Sequence, residues 1–169
     1  FEKDDSINTF FTPEKDVIDD LQVENSEKFL KGMVNLINRF DNITSEYYGN
    51  IILNITGGFK ALIPYMTVLG QVNKIPIYYV FEETDNLIKI PAVPIDINEK
   101  IFEKHEKEFA LLDNGEIKHK SEFNHTFLTD CSTCIEMDDN DIILNPLGKI
   151  LWDKYISKYY SFYCSEHVF

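Results

Sequence analysis

Two short apolar runs, one on each side of a segment with helical spacing, constrain the fold of this chain more than any other feature. The runs cover residues 51–53 and 76–81. Between them, apolar residues recur as on one face of a helix, at Leu62, Tyr65, Met66 and Leu69. Continuous apolar runs are typical of strands buried on both faces. Two such strands joined through a helix predict a βαβ unit, and therefore an α/β fold with a Rossmann-like, mostly parallel sheet.

The turn between the first run and the helix has the composition of an anion site. It reads Asn-Ile-Thr-Gly-Gly-Phe-Lys over residues 54–60. Gly57 and Gly58 allow backbone N–H groups to approach a phosphate closely, and the start of a helix adds partial positive charge. Thr56 offers a hydroxyl and Lys60 a full charge. The alternative is a plain strand-to-helix turn, because the phrase is neither a Walker loop nor a dinucleotide fingerprint.

The charge of the chain restricts its partners. Acidic residues outnumber basic ones by 29 to 16, which gives a net charge of −13, and Arg39 is the single arginine. Duplex binding depends on many Lys and Arg contacts, so we do not expect a broad nucleic-acid surface. The apolar runs are too short to span a membrane. Three cysteines without a secretory context predict a cytoplasmic location, and the start without methionine suggests a fragment.

The flanking segments carry weaker signals. Residues 16–21 predict a short strand, and Asn25 or Ser26 predicts the cap of the next helix. The apolar face of that helix comprises Phe29, Met33, Leu36, Ile37 and Phe40. Residues 87–91 predict an edge strand or hairpin arm that Pro91 ends.

The segment after this strand predicts the end of a first domain. Residues 98–111 have helical spacing, and Asp-Asn-Gly at 113–115 predicts a turn. Within the helix we expect His105 to be a partly buried residue rather than a ligand, because no second titrating group stands at a fixed offset. We therefore expect two units, residues 1–113 and residues 114–169.

The second unit has the pattern of a wing beside a helix. Residues 135–144 predict a hairpin, and Pro146 predicts the start of a helix. This combination is winged-helix-like. The hairpin carries four carboxylates, on Glu136, Asp138, Asp139 and Asp141. Such a tip would repel DNA rather than insert into it.

Two ligand pairs of structural-zinc type also occur in this unit. They are Cys131 with Cys134, as C-x2-C, and Cys164 with His167, as C-x2-H. The pairs lie far apart in sequence, so ordinary buried or free thiols are the alternative. The aromatic cluster at 155–163 predicts a packing face or a dimer contact, because its neighbours are not basic.

Four phrases together resemble the CRISPR-associated Rossmann-fold (CARF) family. They are Asp-Asp-Leu-Gln-Val-Glu-Asn at 19–25, the turn at 54–60, the strand at 76–83, and Ile-Pro-Ala-Val-Pro-Ile at 90–95. The resemblance is closest to the branch that contains stand-alone ring nucleases and the sensor domains of type III CRISPR effectors. Residues 144–149 also resemble the start of the winged-helix appendage that follows many of these domains.

The resemblance implies a homodimer that binds a cyclic oligoadenylate, most simply cyclic tetra-adenylate, across its two-fold axis. It places Thr56, Gly57, Gly58 and Lys60 against the ligand backbone, and we add their neighbours Asn54 and Phe59. No cofactor is required. In ring nucleases of the family the ribose 2′-hydroxyl attacks the adjacent phosphate. Lys60 would then be catalytic, because it would stabilise the charge that develops.

The chain departs from the family pattern in two places. The first strand of the family ends in a Ser/Thr-x-Gly-Thr turn, which residues 1–20 lack, so we expect the first strands to lie outside this chain. A HEPN ribonuclease requires Arg-x4-His, but the residue at that offset from Arg39 is Thr44, so we expect the effector elsewhere.

Three functions therefore stay open on sequence grounds. The first is a module that senses a cyclic oligoadenylate and signals to an effector. The second is a ring nuclease that cleaves the same messenger. The third is a ligand-responsive winged-helix transcription regulator, which the acidic hairpin and the single arginine disfavour.

Overall fold

The computed structural model of the chain describes residues 13–47, 50–81, 84 and 86–159. Within these residues it contains α-helices α1 to α7 and strands β1 to β6. The helices are α1 Pro13–Asp16, α2 Ser26–Tyr47, α3 Ile63–Val72, α4 Glu99–Lys104, α5 Glu106–Leu112, α6 His125–Asp130 and α7 Pro146–Ile156. The strands are β1 Leu53–Asn54, β2 Ile77–Val80, β3 Leu87–Ile90, β4 Lys118–His119, β5 Ile135–Asp138 and β6 Asp141–Leu144.

The first sheet contains the predicted βαβ unit. β1 pairs in parallel with β2, in the register Leu53 to Ile77, and α3 makes the crossover between them. β3 then pairs antiparallel with β2 and forms the edge of the sheet, in the order β1-β2-β3. The α/β class and the edge strand are thus confirmed. The sheet has one parallel and one antiparallel pairing in the described part of the chain.

Helix α3 packs closely on this sheet at a glycine. A Cβ atom at Gly70 would lie 2.7 Å from the side chain of Ile77 and 3.3 Å from that of Leu53. The absence of a side chain at this position therefore sets the distance between helix and sheet. Pro64 lies in the first turn of α3, where its missing N–H has no intrahelical partner to lose.

The strand predicted over residues 16–21 is wrong. Asp16 ends helix α1, and the residues after it form an irregular turn in which the N–H of Leu21 bonds Ile18 O at 3.4 Å. Asp20 has a φ of +60°, a value that is incompatible with an extended strand. The turn packs against α2 instead, because a Cβ at Gly32 would lie 2.4 Å from the Leu21 backbone. Asn25 is the helix cap, since its Oδ1 accepts from the Lys28 N–H at 2.9 Å.

The helix predicted over residues 98–111 is broken into α4 and α5. The break falls at His105, whose φ of −122° and ψ of 27° lie outside the helical region. His105 is buried, and its Nε2 lies 3.1 Å from Asp130 Oδ2 on α6. The bond to another helix explains how a polar ring is accommodated at a buried break.

The second sheet has the order β4-β6-β5 and is antiparallel throughout. Its β5–β6 hairpin and helix α7 confirm the predicted elements. Asn145 caps α7, because its Oδ1 accepts from the Gly148 N–H at 2.8 Å. The helix lies so close to the turn before β5 that a Cβ at Gly148 would be 2.0 Å from Cys134 O.

Two hydrophobic clusters form the core, and α7 joins them. The first cluster, between α2, α3 and α7, comprises Ile37, Phe40, Leu69, Val72 and Ile150. The second is rich in aromatic residues and includes Phe102, Phe109, Phe123, Phe127, Trp152 and Tyr155. Helices α4 and α5 thus pack with the C-terminal elements, although they precede the domain boundary predicted at residue 113. That boundary stays a prediction.

The described helices include none that is long and apolar enough to cross a membrane. The longest, α2, is amphipathic, with Met33, Val34 and Ile37 buried and Glu27 and Lys28 exposed.

Candidate anion-binding site

The turn at residues 54–60 is held firmly at its first end. It begins where β1 ends, beside β2. The N–H of Leu53 bonds Pro76 O at 2.9 Å, and the N–H of Ile55 bonds Tyr78 O at 3.0 Å. The Ile55 side chain is buried. The turn therefore leaves the carboxyl end of a parallel strand, which is where open α/β sheets bind ligands.

A three-residue hydrogen-bond network fixes the next step of the chain. Asn54 Oδ1 accepts from the N–H of Thr56 at 3.0 Å and from Thr56 Oγ1 at 2.6 Å. The same Thr56 hydroxyl accepts from the Val80 N–H at 2.6 Å. Thr56 thus ties the turn to the end of β2. In this structure its hydroxyl proton is already donated to Asn54, so its first role is to position the turn.

The two glycines lie in open space. A Cβ atom added to Gly57 or Gly58 would meet no other atom within 4 Å. Gly58 has a φ of +96°, a conformation that L residues rarely adopt, so the backbone conformation favours glycine at this position. Gly57 has no such requirement. No backbone hydrogen bond occupies the N–H of Gly57 or Gly58 within the part of the chain that the structure describes.

Phe59 and Lys60 lead into the helical crossover. Phe59 precedes a short 3₁₀ turn, Lys60–Leu62, which continues directly into α3. No side chain caps this start. Both residues are exposed, and Lys60 has no ion-pair partner among the described residues. The ammonium group and the uncapped helical start therefore add positive charge directly after the glycines in the chain.

An apolar cavity of about 140 Å³ adjoins the turn. Its lining includes Leu36 of α2, Met66 of α3 and Phe59 of the turn. The sequence did not predict Leu36 or Met66 as site residues, because each is one of many apolar residues on a helix face. The cavity gives the turn an apolar surface beside its polar one. This combination suits a ligand with both a planar apolar part and an anionic part.

The geometry supports anion binding but offers no protein acid or base. Lys60 is the one ionisable side chain within residues 54–60, and none of the carboxylates or histidines of the described residues lines the adjoining cavity. Any reaction at this place would depend on how the ligand is held and on electrostatic stabilisation by Lys60 and the backbone N–H groups.

The cysteine pair lies in the second hydrophobic cluster, away from the turn. Cys131 and Cys134 are both buried. Burial raises the pKa of the Cys131 thiol to about 12 and also raises that of Cys134. Cys164 and His167 lie outside the described residues, so the four-ligand zinc site stays a prediction. Within the described residues, no group of three or more potential metal ligands converges.

A charge cluster around a buried lysine was not predicted. This buried charge cluster comprises Lys149, which is buried, and the partly buried Asp41, Asp113 and Asp153. Lys149 Nζ bonds Asp113 Oδ1 at 2.8 Å and Asp153 Oδ1 at 2.6 Å, with only 4% of the lysine side chain exposed. Burial opposes the Lys149 charge, but the two carboxylates outweigh it and raise its pKa. The i,i+4 spacing of Lys149 and Asp153 was the available sequence signal. Asp113 and Asp41 are brought in by the tertiary fold alone.

The carboxyl groups of Asp41 and Asp153 share a proton-dependent contact in this cluster. They lie within hydrogen-bonding reach of each other. Asp153 Oδ2 is buried and has no donor among the described residues unless one of these carboxyls is protonated. Burial raises the pKa of Asp153 to about 7, against the opposing effect of Lys149, and burial also raises the pKa of Asp41.

These features describe an α/β protein with a phosphate-compatible turn at the end of a parallel strand. Residues 7–93, just over half of the chain, match the CRISPR-associated protein family Cas_APE2256. The chain therefore belongs to this family of CRISPR-associated proteins. The matched segment includes the whole βαβ unit and the turn at 54–60. None of the curated proteins compared with the chain matches it.

Proposed function

We propose that this chain is the sensing module of a type III CRISPR antiviral system and binds a cyclic oligoadenylate, most simply cyclic tetra-adenylate. The observation that carries the proposal is the turn at 54–60, in which Gly57 and Gly58 border open space and Lys60, two residues further on, is exposed. Membership in a CRISPR-associated family supports the biological setting, and the CARF resemblance of the same turn supports the ligand class.

The chemistry of the ligand fits the turn. Each nucleotide of a cyclic oligoadenylate contributes one phosphodiester anion and one planar adenine. Lys60 and the backbone N–H groups of Gly57 and Gly58 suit the phosphate, while the apolar cavity beside Phe59 suits a base. The proposed assembly is a homodimer, since the ring has its own rotational symmetry and two facing turns would contact it equivalently. The effector is proposed to be a separate segment or chain.

A ring nuclease is the second candidate, and the exposed Lys60 is the observation that favours it. In that reaction the ribose 2′-oxygen attacks the adjacent phosphorus and its proton leaves to solvent. The bond from phosphorus to the 5′-oxygen breaks and this oxygen takes a proton from solvent, which yields a 2′,3′-cyclic phosphate and a 5′-hydroxyl. The reaction needs in-line geometry and stabilisation of the phosphorane charge, both of which a rigid turn with a lysine supplies.

Calorimetric titration of cyclic tetra-adenylate into the full chain tests the binding proposal. We expect one ring to bind per two chains, and Lys60→Ala to weaken binding at least tenfold, which corresponds to about 1.4 kcal/mol. Lys100→Ala is the matched control, because Lys100 is also exposed in the first turn of a helix but lies on α4. No binding of the tetramer or the hexamer would refute the proposal.

Product analysis separates the two candidates. After incubation of the chain with the ring, unchanged ligand supports the sensor. Linear products that Lys60→Ala abolishes support the ring nuclease.

The transcription regulator has little support in the structure. The hairpin that would serve as the wing exposes Glu136, Asp138, Asp139 and Asp141. This negative tip is unfavourable beside a phosphate backbone. Salt-sensitive retention of the chain on duplex DNA would favour the regulator over the sensor.

A further inference from the structure

A groove separate from the turn lies between the first turns of α2 and the β5–β6 hairpin. Its volume is about 330 Å³. Leu30 and Ile143 contribute an apolar floor, and Ile117 lines the end nearest β4. Carboxylates surround this floor, on Glu27, Glu136, Asp138 and Asp141. The groove thus combines an apolar base with a strongly negative rim.

Three of the rim carboxylates are unneutralised. Glu27 pairs with Lys31 at 2.9 Å. Within the described ranges, no lysine, arginine or histidine lies within ion-pair distance of Glu136, Asp138 or Asp141. Like charges held this close repel one another, so a cationic occupant would relieve the repulsion.

One wall of the groove is an edge strand. β5 is the last strand in the order β4-β6-β5, and among the described residues it pairs with β6 alone. An edge strand presents backbone N–H and C=O groups that can pair with an added strand. Residues 136–138 of β5 are all exposed. The structure therefore offers both a backbone template and a charged groove at one place.

The two faces of β5 differ in chemistry. Glu136 and Asp138 point to one face, the face of Ile143, while Met137 points to the other, beside Ile142. A strand added to β5 would alternate in the same way. In such a strand, lysine or arginine would suit the positions beside Glu136 and Asp138. An apolar residue would suit the position beside Met137.

We propose that β5 and its groove form a docking surface for an extended segment of a partner protein with alternating basic and apolar residues. The charge complementarity of the rim selects this occupant. A nucleic acid is disfavoured by the same carboxylates, and a second copy of this chain, at net charge −13, would bring further negative charge. The surface is distinct from the turn at 54–60 and stands independently of the proposed ligand.

Fluorescence anisotropy with a defined probe tests this docking surface. The probe is a labelled eight-residue peptide of alternating lysine and valine. Its control has the same composition, with the lysines and valines in two blocks. We expect the alternating peptide to bind the full chain at least tenfold more tightly than the block peptide, because only alternation satisfies both faces of a strand.

A matched pair of charge-reversal variants locates the binding. Glu136→Lys with Asp138→Lys should weaken the binding of the alternating peptide about tenfold, which corresponds to about 1.4 kcal/mol. Glu103→Lys with Glu106→Lys makes the same charge change at exposed positions on α4 and α5, and should alter binding less than twofold. Circular dichroism checks that both variants fold. The peptide affinity of the neutral variant, Glu136→Gln with Asp138→Asn, should lie between those of the wild type and the charge-reversal variant.

Three results would overturn the proposal. They are equal binding of the alternating and block peptides, equal loss in both charge-reversal variants, and no binding of either peptide at low ionic strength. Preferential binding of a single-stranded oligonucleotide or self-association through β5 would also replace the proposed partner.

Discussion

The turn at 54–60 and the buried charge cluster place polar groups in opposite circumstances. In the turn, Lys60 is exposed without an ion-pair partner among the described residues, and Gly57 and Gly58 border open space. In the cluster, Lys149 is buried and contacts two carboxylates at 2.8 Å or less. Buried charges are tolerated only when paired, whereas unpaired polar groups on a rigid frame are available to a ligand.

This difference separates residues that hold the fold from residues that serve function. Lys149 and Asp153 lie on α7, the helix that joins the two hydrophobic clusters. Lys60 contributes to neither cluster. Substitution in the cluster should therefore change stability, and substitution in the turn should change ligand binding with little effect on stability.

Lys149→Met should give the largest loss of stability. It leaves the partly buried carboxylates of Asp113 and Asp153 without their cation, and removing one partner of a buried pair costs roughly 3–5 kcal/mol. Urea unfolding monitored by circular dichroism measures this loss. Lys158→Met is the control, since its pair with Glu99 is about half exposed and its removal should cost less than about 1 kcal/mol. Equal losses in both variants would contradict the assignment of the cluster as structural.

The pH dependence of stability should reveal the raised pKa of Asp153. The unfolded carboxyl has a pKa near 3.8 and the folded one a pKa of about 7, so the folded state binds more protons between these values. Stability from this group is therefore fully present below the unfolded pKa and decreases as pH rises to about 7, by on the order of 4 kcal/mol. The groups that face Asp153 are Asp41 on α2, Asp113, and Lys149 on α7.

Comparison with Asp153→Asn isolates this contribution. Other groups have the opposite dependence, such as Asp130, whose pKa Lys104 and His105 lower. Urea unfolding at a series of pH values should show a steeper decrease of stability for the wild type than for Asp153→Asn between pH 4 and 7. Parallel curves for the two proteins would show that Asp153 titrates normally.

A pair of glycine substitutions tests the contrast directly. Gly148→Ala places a Cβ 2.0 Å from Cys134 O, so it should destabilise the fold by about 1–3 kcal/mol or more. Gly57→Ala meets no atom within 4 Å and has no positive φ, so it should leave the melting temperature nearly unchanged. It should nevertheless weaken the binding of cyclic tetra-adenylate measured by calorimetry, because the added methyl group lies where the ligand would approach. Unchanged binding by Gly57→Ala would show that the ligand does not contact this residue.

Thr56→Val should destabilise the fold only modestly. It removes the hydroxyl that bridges Asn54 and the Val80 N–H, at a cost of about 1–2 kcal/mol. Thr56→Ser keeps the hydroxyl and should stay near the wild type in thermal unfolding. If Thr56→Val weakens ligand binding while Thr56→Ser preserves it, the hydroxyl is required to shape the turn. Equal behaviour of the two variants would mean that the network is dispensable.

The sequence predicted the elements around the site well. Continuous apolar runs and the helical spacing between them located β1, β2 and α3, and Pro146 located the start of α7. These signals are local, because strand and helix periodicity depend on neighbouring residues. The strand predicted at 16–21 failed because its apolar residues suit a strand, while the positive φ of Asp20 and the close packing of Leu21 on Gly32 depend on α2.

By itself, the sequence determined the α/β class, the strand–turn–helix unit and the composition of the turn at 54–60. Only the tertiary structure decided that the Thr56 hydroxyl binds the Val80 N–H, and that α7 carries Lys149 into a cluster with Asp113, 36 residues away. The physical reason is that hydrogen bonds and ion pairs between distant segments depend on how the elements pack. Local periodicity encodes which face of an element is buried, but not which polar partner it meets there.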